Sequence, residues 1–442
     1  MTIQPRLGAG LKDYLPSEMI VRQQMFDTIR NVFERFGFSP LDTPGLEVEE
    51  ILTGGDPDFN KMIFRARLRD GDEGLALRFD LTVALARVVA QYPNDISKPF
   101  KRYQVGKVWR GERPQAGRFR EFVQFDADTV GCAEMTADAE IVALIYETMT
   151  ALGFQNFLTK VNNRKILNGL PEYIGFDPDK TTEVLRFIDK MEKLGWENIS
   201  GELADKLGFT TEQLALLKAF LDFRGGDQID TVNGVKKLMA NSPTAMEGAR
   251  ELEEIVSYVQ ALGVPSDKWT IDLSVARGLG YYTGPVFETV LTDLPSIGSV
   301  FSGGRFDDLV SRFAPVNIPA TGASVGVDRL FAAMQKLGLT GTRRTVTQIL
   351  ILDFDSSCRE DCHRLASSIR QAGFRTEIYM GKEKGIKGQL AYAVREDIPI
   401  VIIFGGNERE NNVVGIKCLA TRRQFDVPLL EVNKKIKEIL VS

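Results

Sequence analysis

Residues 110–124 read Arg-Gly-Glu-Arg-Pro-Gln-Ala-Gly-Arg-Phe-Arg-Glu-Phe-Val-Gln, and this stretch decides how the fold is interpreted. The segments 102–110 and 121–130 on either side have strand character, and the polar stretch between them contains glycine and proline. This pattern predicts a long β-hairpin. Phe122 and Gln124 are two residues apart, so they lie on the same face of the second strand.

The hairpin carries side chains that suit a nucleotide. Arg110 ends the first strand, and its planar guanidinium suits a phosphate. Glu112 can accept a hydrogen bond from an exocyclic amine, and Phe122 offers an aromatic face on which a base can stack. Taken alone, these residues fit a charged, solvated hairpin equally well.

Residues 77–82 and 322–330 contain further candidate ligand-binding residues. Asp80 and Thr82 follow a strand-like segment, where they can bind an ammonium group or cap the next helix. Residues 322–330 form a glycine-spaced strand that leads into a helix, and Arg329 lies in the first turn of that helix. The second pattern by itself more often reflects structure than function.

Residues 275–288 contain an arginine beside glycine, followed by paired tyrosines. Arg277, Tyr281 and Tyr282 suggest a cation and two phenols held close to a small ligand, and the nearby glycines permit close backbone approach. The alternative is a turn with packed tyrosines.

The rest of the chain surrounds these motifs. A helix is predicted from Ser17 to Gly37, followed by an extended segment with Pro40 and Pro44. Strand signals vanish over 168–262, which indicates a helical insertion. Beyond a connector at 339–344, strands and helices alternate, and this pattern predicts an α/β domain with a largely parallel sheet. We therefore expect a core formed by 1–167 and 263–338, an insertion at 168–262 and a further domain at 345–442.

Composition limits the class of protein. Of 442 residues, 43% are hydrophobic and 26% are charged, so each domain can bury a core. The four cysteines are too few for a disulfide scaffold, and the single histidine, His363, excludes a histidine-rich metal site. The first ten residues show no apolar run, and the strongest such run, 398–404, is too short to span a bilayer. We expect a cytoplasmic protein with no membrane span and no protein-bound metal.

The ordered motifs resemble those of class II aminoacyl-tRNA synthetases. The helix with Pro44, the 110–124 hairpin and the 322–330 segment look like motifs one, two and three of that class. Residues 277–282 and 302–307 resemble two signatures of its histidyl branch, and residues 387–393 resemble part of its anticodon-binding domain. The resemblance implies an α/β protein: a catalytic domain with a mainly antiparallel sheet, a helical insertion and a C-terminal α/β anticodon-binding domain.

The resemblance also implies an activity and its participants. The protein is expected to activate histidine with ATP and Mg²⁺, to transfer it to tRNA(His) and to form a homodimer. Arg110 is expected to bind the α-phosphate of ATP, and Arg329 is expected to bind its outer phosphates. Glu112 and Phe122 are expected to bind the adenine ring. Histidine binding is expected to involve Asp80, Leu81, Thr82, Gln124, Asp128, Arg277, Tyr281 and Tyr282. Arg277, with Arg110, is also expected to stabilise the transition state.

Two departures from the family pattern leave alternatives open. Gly280 stands where the family usually has an acidic residue, and Asp128 is shorter than the glutamate of many relatives. The alternatives are a regulatory subunit of ATP phosphoribosyltransferase, which has the fold without the activity, and a paralogue that senses tRNA or histidine. The C-terminal domain, together with Arg110, Gln124 and Arg277, favours the enzyme.

Overall fold

The computed structural model describes residues 3–53, 60–67, 74–113, 119–278, 280–341 and 343–441. Residues 114–118 of the predicted hairpin turn and Leu279 of the tyrosine motif lie outside the described residues. The chain divides into two compact units, Met1–Asp13 with Met25–Leu339 and Tyr14–Gln24 with Thr340–Ser442. We call them the first and the second unit.

Eleven strands of the described chain lie in the first unit. In chain order they are β1 (Ser39–Pro40), β2 (Leu46–Val48), β3 (Arg65–Ala66), β4 (Leu75–Leu77), β5 (Phe100–Trp109), β6 (Glu121–Val130), β7 (Phe157–Asn163), β8 (Trp269–Ile271), β9 (Pro285–Leu291), β10 (Phe301–Arg305) and β11 (Ala320–Gly326). Eight of them form one sheet in the order β1-β5-β6-β11-β10-β9-β7-β8. Only the pairings at its two ends, β1 with β5 and β7 with β8, are parallel. The mainly antiparallel sheet predicted for this part is confirmed.

Helices flank this sheet. They are α1 (Pro16–Arg35), α2 (Glu49–Thr53), α3 (Thr82–Gln91), α4 (Thr136–Ala151) and, after the insertion, α13 (Val327–Lys336). Helix α4 is the most apolar of them, and its inner residues Ile141, Leu144 and Ile145 are fully buried. Gly37, with φ of +79°, follows α1 and ends it, as the sequence predicts.

The segment after α1 differs from the sequence prediction. Pro44 was expected within an extended strand, but it lies between β1 and β2 and belongs to neither. The Arg78 guanidinium donates to the carbonyl oxygen of Thr43 at 2.6 Å and to that of Pro44 at 3.4 Å. These carbonyls bond a side chain rather than a neighbouring strand. Strand β2 instead pairs in a small antiparallel sheet of order β2-β4-β3.

Helices alone connect β7 to β8. They are α5 (Arg164–Asn168), α6 (Leu170–Ile174), α7 (Thr181–Asp189), α8 (Met191–Leu194), α9 (Trp196–Leu207), α10 (Thr211–Asp222), α11 (Gln228–Leu238) and α12 (Pro243–Ala261). Side-chain caps start several of them. Thr210 and Gln213 form a reciprocal capping box at α10, and Ser242 accepts from the Ala245 amide at α12.

The second unit contains a five-stranded sheet with helices on both faces. Its strands are β12 (Ile349–Ile351), β13 (Thr376–Ile378), β14 (Ile400–Ile403), β15 (Val413–Cys418) and β16 (Gln424–Pro428), in the order β13-β12-β14-β15-β16. Its helices are α14 (Arg359–Gln371), α15 (Ile386–Arg395), α16 (Gly406–Glu410) and α17 (Val432–Val441). Two pairings are parallel and two are antiparallel, so the sheet is mixed rather than largely parallel. The predicted α/β class is confirmed.

None of the helices in the described ranges is both long enough and apolar enough to cross a membrane.

Candidate active site

One face of the main sheet carries a row of polar side chains that crosses five strands. The register places Asp126 of β6 beside Ser324 of β11, and Ser324 beside Ser302 of β10. Ser302 in turn lies beside Glu288 of β9, and Glu288 beside Lys160 of β7. Residues directly opposite on neighbouring strands share a face of the sheet. Antiparallel pairing therefore brings together residues that are far apart in the sequence.

The adjacent row contains two glycines that leave room for larger side chains. Asp128 faces Gly322, which faces Gly304. A Cβ atom at Gly322 would lie 2.0 Å from Asp128 Oδ1, and one at Gly304 would lie 3.0 Å from the Tyr282 ring. The absence of side chains here opens a recess that the carboxylate and the phenol enter.

A first cavity, with an empty volume of about 780 Å³, opens over this face. Five of the residues predicted from the sequence line it: Arg110, Glu112, Phe122, Gln124 and Arg329. Phe119, Ser299, Val300, Ser302, Ser324, Gly326 and Asp328 complete its lining. The structure thus brings together all four residues that were expected to bind ATP.

Backbone contacts orient the two arginines of this cavity. Arg110 Nε donates to the Phe79 carbonyl at 3.1 Å, and the guanidinium lies 5.1 Å from the centroid of the Phe122 ring. Arg329 Nη1 donates to the Ser299 carbonyl at 2.7 Å. Both cations are fixed before any ligand binds, which lowers the entropy lost on binding a phosphate.

A second cavity, with an empty volume of about 530 Å³, adjoins the first. Its lining residues are Asp80, Thr82, Arg110, Gln124, Asp126, Asp128, Tyr281, Tyr282, Ser302, Phe306, Gly322, Ala323 and Ser324. Arg110, Gln124, Ser302 and Ser324 line both cavities. The two cavities therefore form one continuous site with a shared boundary.

Leu81 is the exception among the residues expected to bind the amino acid. Its side chain is fully buried and does not line either cavity. Its carbonyl oxygen accepts from the buried guanidinium of Arg102 at 3.3 Å. Leu81 therefore contributes packing and one backbone acceptor near the second cavity.

Asp80 serves both roles that the sequence left open. Its Oδ1 accepts from the Val83 amide at 3.1 Å, which caps the start of α3, and its carboxyl group also lines the second cavity. Burial raises the pKa of Asp80, although the Val83 hydrogen bond and the charge of Arg110 oppose that rise.

Three carboxyl groups and two guanidinium groups line or adjoin the second cavity. Asp80, Asp126 and Asp128 are each buried, and burial raises the pKa of all three. The positive charge of Arg102 opposes this rise at each carboxyl. The site therefore has an excess of carboxylate over fixed cation and suits a ligand that carries positive charge.

The two tyrosines of this cavity pack edge to face, with ring centroids 4.9 Å apart. Burial raises the pKa of both phenols, so they remain neutral hydrogen-bonding groups at pH 7. Gly278, with φ of +67°, precedes them, and a Cβ atom there would lie 1.8 Å from the Tyr282 ring. Glycine is therefore required at this position both by its backbone conformation and by the packing of Tyr282.

A buried ion pair supports the loop that carries the tyrosines. Arg305 and Asp138 form a salt bridge, with side-chain exposures of 3% and 0%. The Thr283 amide donates to the Arg305 carbonyl at 2.8 Å, and the Thr283 hydroxyl and the Asp307 carboxylate lie 3.1 Å apart. Arg305 and Asp307 belong to the second signature, so part of that signature holds the loop rather than a ligand.

Arg277 lies away from the two cavities described above. Its guanidinium forms an ion pair with Glu288, and both residues line a third cavity that extends toward Glu192 and Arg224 of the helical segment. Glu288 is the cross-strand neighbour of Ser302, which lines both other cavities. Arg277 therefore lies beside β9, one strand beyond the boundary that the first two cavities share, and does not line that boundary.

Gly280 is exposed and has no side chain, and the acidic partner that the structure shows for Arg277 is Glu288. The described residues contain no group of three or more His, Cys, Asp or Glu side chains arranged to hold a metal ion. His363 lies on the surface of α14, remote in sequence from the site motifs.

Comparison with known proteins shows which family this chain belongs to. A family model for histidyl-tRNA synthetase matches residues 10–330, well over half of the chain. The chain belongs to the histidyl-tRNA synthetase family. A model for an anticodon-binding domain matches residues 348–439, which lie in the second unit.

Curated relatives and solved structures agree with this family assignment. A histidine–tRNA ligase of Rhodopirellula baltica is 43% identical over 96% of both chains, and one of Clostridium tetani is 40% identical over 98% of both. The crystal structure of histidyl-tRNA synthetase from Nostoc sp. PCC 7120 matches with 31% identity and a TM-score of 0.89, covering 99% of this chain and all of that one. The predicted family and fold class are confirmed.

One structural neighbour bears on the regulatory alternative. A Bacillus halodurans protein described as an ATP phosphoribosyltransferase regulatory subunit/histidyl-tRNA synthetase matches with a TM-score of 0.77 but only 22% identity, so it shows a shared fold and nothing more. Full-length relatives near 40% identity, among them those of Rhodopirellula baltica and Clostridium tetani, are named histidine–tRNA ligases, which leaves the regulatory interpretation with less support.

Proposed function

We propose that the protein is an ATP-dependent histidine–tRNA ligase, which joins histidine to AMP and then transfers the histidyl group to the 3′ end of tRNA(His). The observation that carries this proposal is the shared boundary of the two cavities. Arg110 and Gln124 line both, so a nucleotide in one and an amino acid in the other would meet there.

The first reaction forms histidyl-adenylate. A histidine carboxylate oxygen attacks the α-phosphorus of ATP, the bond from that phosphorus to the β-phosphate oxygen breaks, and pyrophosphate leaves. Arg110 is proposed to bind the α-phosphate, where negative charge grows, and Arg329 the outer phosphates. The step needs in-line positioning and cations more than acid–base catalysis, so a chain whose single histidine lines neither cavity can perform it.

The adenine and the amino acid are proposed to bind at opposite ends of the site. Glu112 would accept from the adenine amine while Phe122 stacks on the ring. Asp80 and Thr82 would bind the ammonium group. Gln124 would contact the carboxylate end of histidine, and the residues proposed for its ring are Asp128, Tyr281 and Tyr282.

Mg²⁺ is proposed to arrive with ATP as part of the substrate. Mg²⁺ commonly binds to nucleotide phosphates, keeps several waters and takes few protein carboxylates. Its charge would stabilise the departing pyrophosphate. No dedicated protein cage is needed for this role.

The second reaction transfers the histidyl group. A hydroxyl of the terminal ribose of the tRNA attacks the adenylate carbonyl, and AMP leaves. The core (1–167 and 263–338) is proposed to catalyse both reactions, and the domain 345–442 to bind the anticodon. The segment 168–262 is proposed as a separate helical insertion, and α1 with the segment around Pro44 as the interface of a homodimer. The proposed location is the cytoplasm, where tRNA is charged for translation.

ATP–pyrophosphate exchange with each of the twenty amino acids tests the function. Exchange is expected with histidine and not with the others, because buried polar groups that pair with imidazole are left unpaired by other side chains. Equal exchange with another amino acid would contradict the substrate assignment. Binding of histidine without any exchange would support the regulatory or sensing alternatives instead.

A further inference from the structure

Arg102 is a fully buried cation that lines none of the three cavities described above. Its Nη2 lies 2.7 Å from Oδ2 of Asp128, and Asp128 lines the second cavity. The two residues are direct cross-strand neighbours on β5 and β6. The same Nη2 donates to the Leu81 carbonyl at 3.3 Å. Arg102 therefore acts on the second cavity through a carboxyl group and not by direct contact with a ligand.

The guanidinium of Arg102 receives few hydrogen bonds in return for its burial. Its Nε and Nη1 donate to no described residue, and Asp128 Oδ2 and Asp126 Oδ1 accept from none. The attraction between this cation and the carboxyl groups is therefore mainly one of charge, which is strong in a buried site. Apolar side chains of similar volume often stabilise a fold as well as a buried ion pair does. Packing alone therefore does not explain an arginine at this position.

The charge of Arg102 acts on three carboxyl groups of the second cavity. It opposes the rise in pKa that burial causes at Asp80, Asp126 and Asp128. At Asp126 and Asp128 it is the largest influence in that direction. At Asp80 the charge of Arg110 acts more strongly. The two carboxyl groups of β6 therefore depend on Arg102 most.

We propose that Arg102 is a positioning residue for histidine, whose charge keeps Asp128 ionised and in place for the imidazole ring despite the neighbouring carboxyl group of Asp126. This inference rests on the proposed function, in which Asp128 binds the ring. It adds a residue that touches neither histidine nor ATP.

The ionised state of Asp128 matters because of what each form can offer to a ring N–H. An ionised carboxylate only accepts hydrogen bonds, and a bond to an ionised acceptor is about twice as strong as one between neutral groups. Burial raises the pKa of Asp128 above its usual range, and Arg102 opposes that rise. Without the cation, the pKa would rise further toward neutrality, and a proton would occupy the carboxyl group in competition with the ring.

The other titratable groups that face Asp128 do not supply a positive charge. Asp126 lies on β6 itself and Asp80 approaches from the start of α3, and both repel the ionised form. Tyr282, from the loop before β9, has its pKa raised by burial and stays neutral at pH 7. Arg102, from β5, therefore balances carboxyl groups on two other elements.

Exchange kinetics of Arg102→Met test the inference, because methionine removes the charge and keeps an apolar side chain in the core. At pH 7 the histidine KM is expected to rise at least tenfold, while the ATP KM changes less than twofold. Arg87→Met is the matched control, since Arg87 pairs with buried Glu47 at 2.6 Å and lines none of the described cavities. The control should stay within twofold of wild type for both substrates. A histidine KM of Arg102→Met within twofold of wild type would overturn the inference.

A pH profile separates a role of the charge from a role in packing. The ratio of the histidine KM of Arg102→Met to that of wild type cancels the titration of free histidine. This ratio is expected to fall as the pH rises from 7 to 9, because the carboxyl group whose pKa was raised becomes ionised over that range. A ratio that does not change with pH would show that Arg102 only supports packing, and the inference would be wrong.

A second substitution tests whether Asp126 is the group that Arg102 balances. Arg102→Met/Asp126→Asn removes the cation together with one of the carboxyl groups that repel Asp128. Its histidine KM at pH 7 is expected to be at least threefold lower than that of Arg102→Met, and a value equal to or above the single variant's would contradict the proposed balance. If Arg102→Met does not fold, the same pH profile is measured on the double variant against Asp126→Asn.

The outcomes also distinguish the two proposals. Absence of histidine-dependent exchange in the wild-type protein would refute the proposed function itself. Normal wild-type exchange with an unaltered histidine KM in Arg102→Met would refute only the role of Arg102.

Discussion

At the scale of single residues, Asp126 illustrates how a buried carboxyl group weakens the fold that carries it. Burial and neighbouring carboxylates raise its pKa, so the folded chain holds a proton that the unfolded chain would release. Between the ordinary value of 3.8 and the raised value, the folded state binds more protons, and stability therefore falls as the pH rises. Above the raised pKa, the folded state carries the full free-energy cost of burying the ionised carboxylate.

Replacing this carboxyl should therefore stabilise the protein in a pH-dependent manner. Asp126→Asn cannot ionise, so its melting temperature should exceed that of wild type by more at pH 8 than at pH 5, where the wild-type carboxyl keeps its proton. Thermal melts of both proteins without histidine, across this range, measure the difference. A difference that stays constant, or shrinks as the pH rises, would contradict a raised pKa at this residue.

Arg277 is proposed to stabilise the transition state from its position beside Glu288. Arg277→Ala should lower kcat for histidine-dependent exchange by about a hundredfold or more, the scale seen when one electrostatic donor is removed. The ATP KM should change far less. Arg224→Ala is the matched control, because Arg224 lines the same cavity but pairs with Asp272 at 2.7 Å. Similar losses in both variants would indicate a structural role.

Several site residues were predictable because their sequence signals are local. The alternation along β6 places Phe122 and Gln124 on one face, and the structure shows both lining the first cavity. The same period of two extends to Asp126, so a stricter use of the alternation would have included it. The Arg102 partner of Asp128 was not predictable, because cross-strand register depends on the hairpin as a whole.

At the scale of elements, the loop that carries Tyr281 and Tyr282 depends on a buried ion pair between β10 and α4. Arg305 pairs with Asp138, whose pKa is raised to about 6 by burial despite this cation. The Arg305 backbone carbonyl accepts from the amide of Thr283, which directly follows Tyr282. The ion pair therefore links an interior helix to the loop that lines the second cavity.

Breaking this pair should destabilise the first unit. Arg305→Met leaves a buried carboxylate without its cation and should lower the free energy of unfolding by about 3–5 kcal/mol, the usual loss for one partner of a buried pair. The double variant Arg305→Met/Asp138→Leu should recover part of that loss, since no uncompensated charge remains. Urea unfolding followed by tryptophan fluorescence measures all three proteins. A loss below about 1 kcal/mol for Arg305→Met would show that the pair is dispensable.

Elements with strong local signals were predicted well, and elements without them were missed. The hairpin strands β5 and β6 and helix α1 lie within two residues of the sequence prediction at their ends. Strand β7, which precedes the helical segment, was not predicted. Strand β10 was not predicted either, because Gly303 and Gly304 have low strand propensity. Its pairing between β9 and β11 supplies the hydrogen bonds that override this preference.

At the scale of the whole molecule, amino acid activation and tRNA recognition are proposed to lie in different units. All lining residues of the first two cavities belong to the first unit, and the anticodon-binding family model falls within the second. If the two steps are divided in this way, a substitution in the second unit should impair tRNA charging without affecting the activation of histidine.

Within the second unit, the loop between β13 and α15 is the proposed contact with the tRNA backbone. Lys382 and Lys384 of this loop are exposed, and so is Lys387 in the first turn of α15. The buried side chain of Gln389 fixes the loop by hydrogen bonds. Its amide nitrogen donates to the carbonyl oxygens of Glu383 and Asp353, at 2.9 Å each. A fixed loop presents the three ammonium groups in a defined arrangement, which suits contact with phosphates.

The full-length variant Lys382→Glu/Lys384→Glu/Lys387→Glu tests this division. Histidine-dependent pyrophosphate exchange should remain within twofold of wild type, while the tRNA KM for charging should rise at least tenfold. The slope of log affinity against log salt should become shallower by about 0.7–0.9 for each phosphate that the lysines no longer neutralise. Lys434→Glu/Lys437→Glu on exposed positions of α17 is the control for charge reversal elsewhere in the second unit. Equal loss in both variants would indicate long-range repulsion, and loss of exchange in a folded triple variant would show that the two units do not divide the labour as proposed.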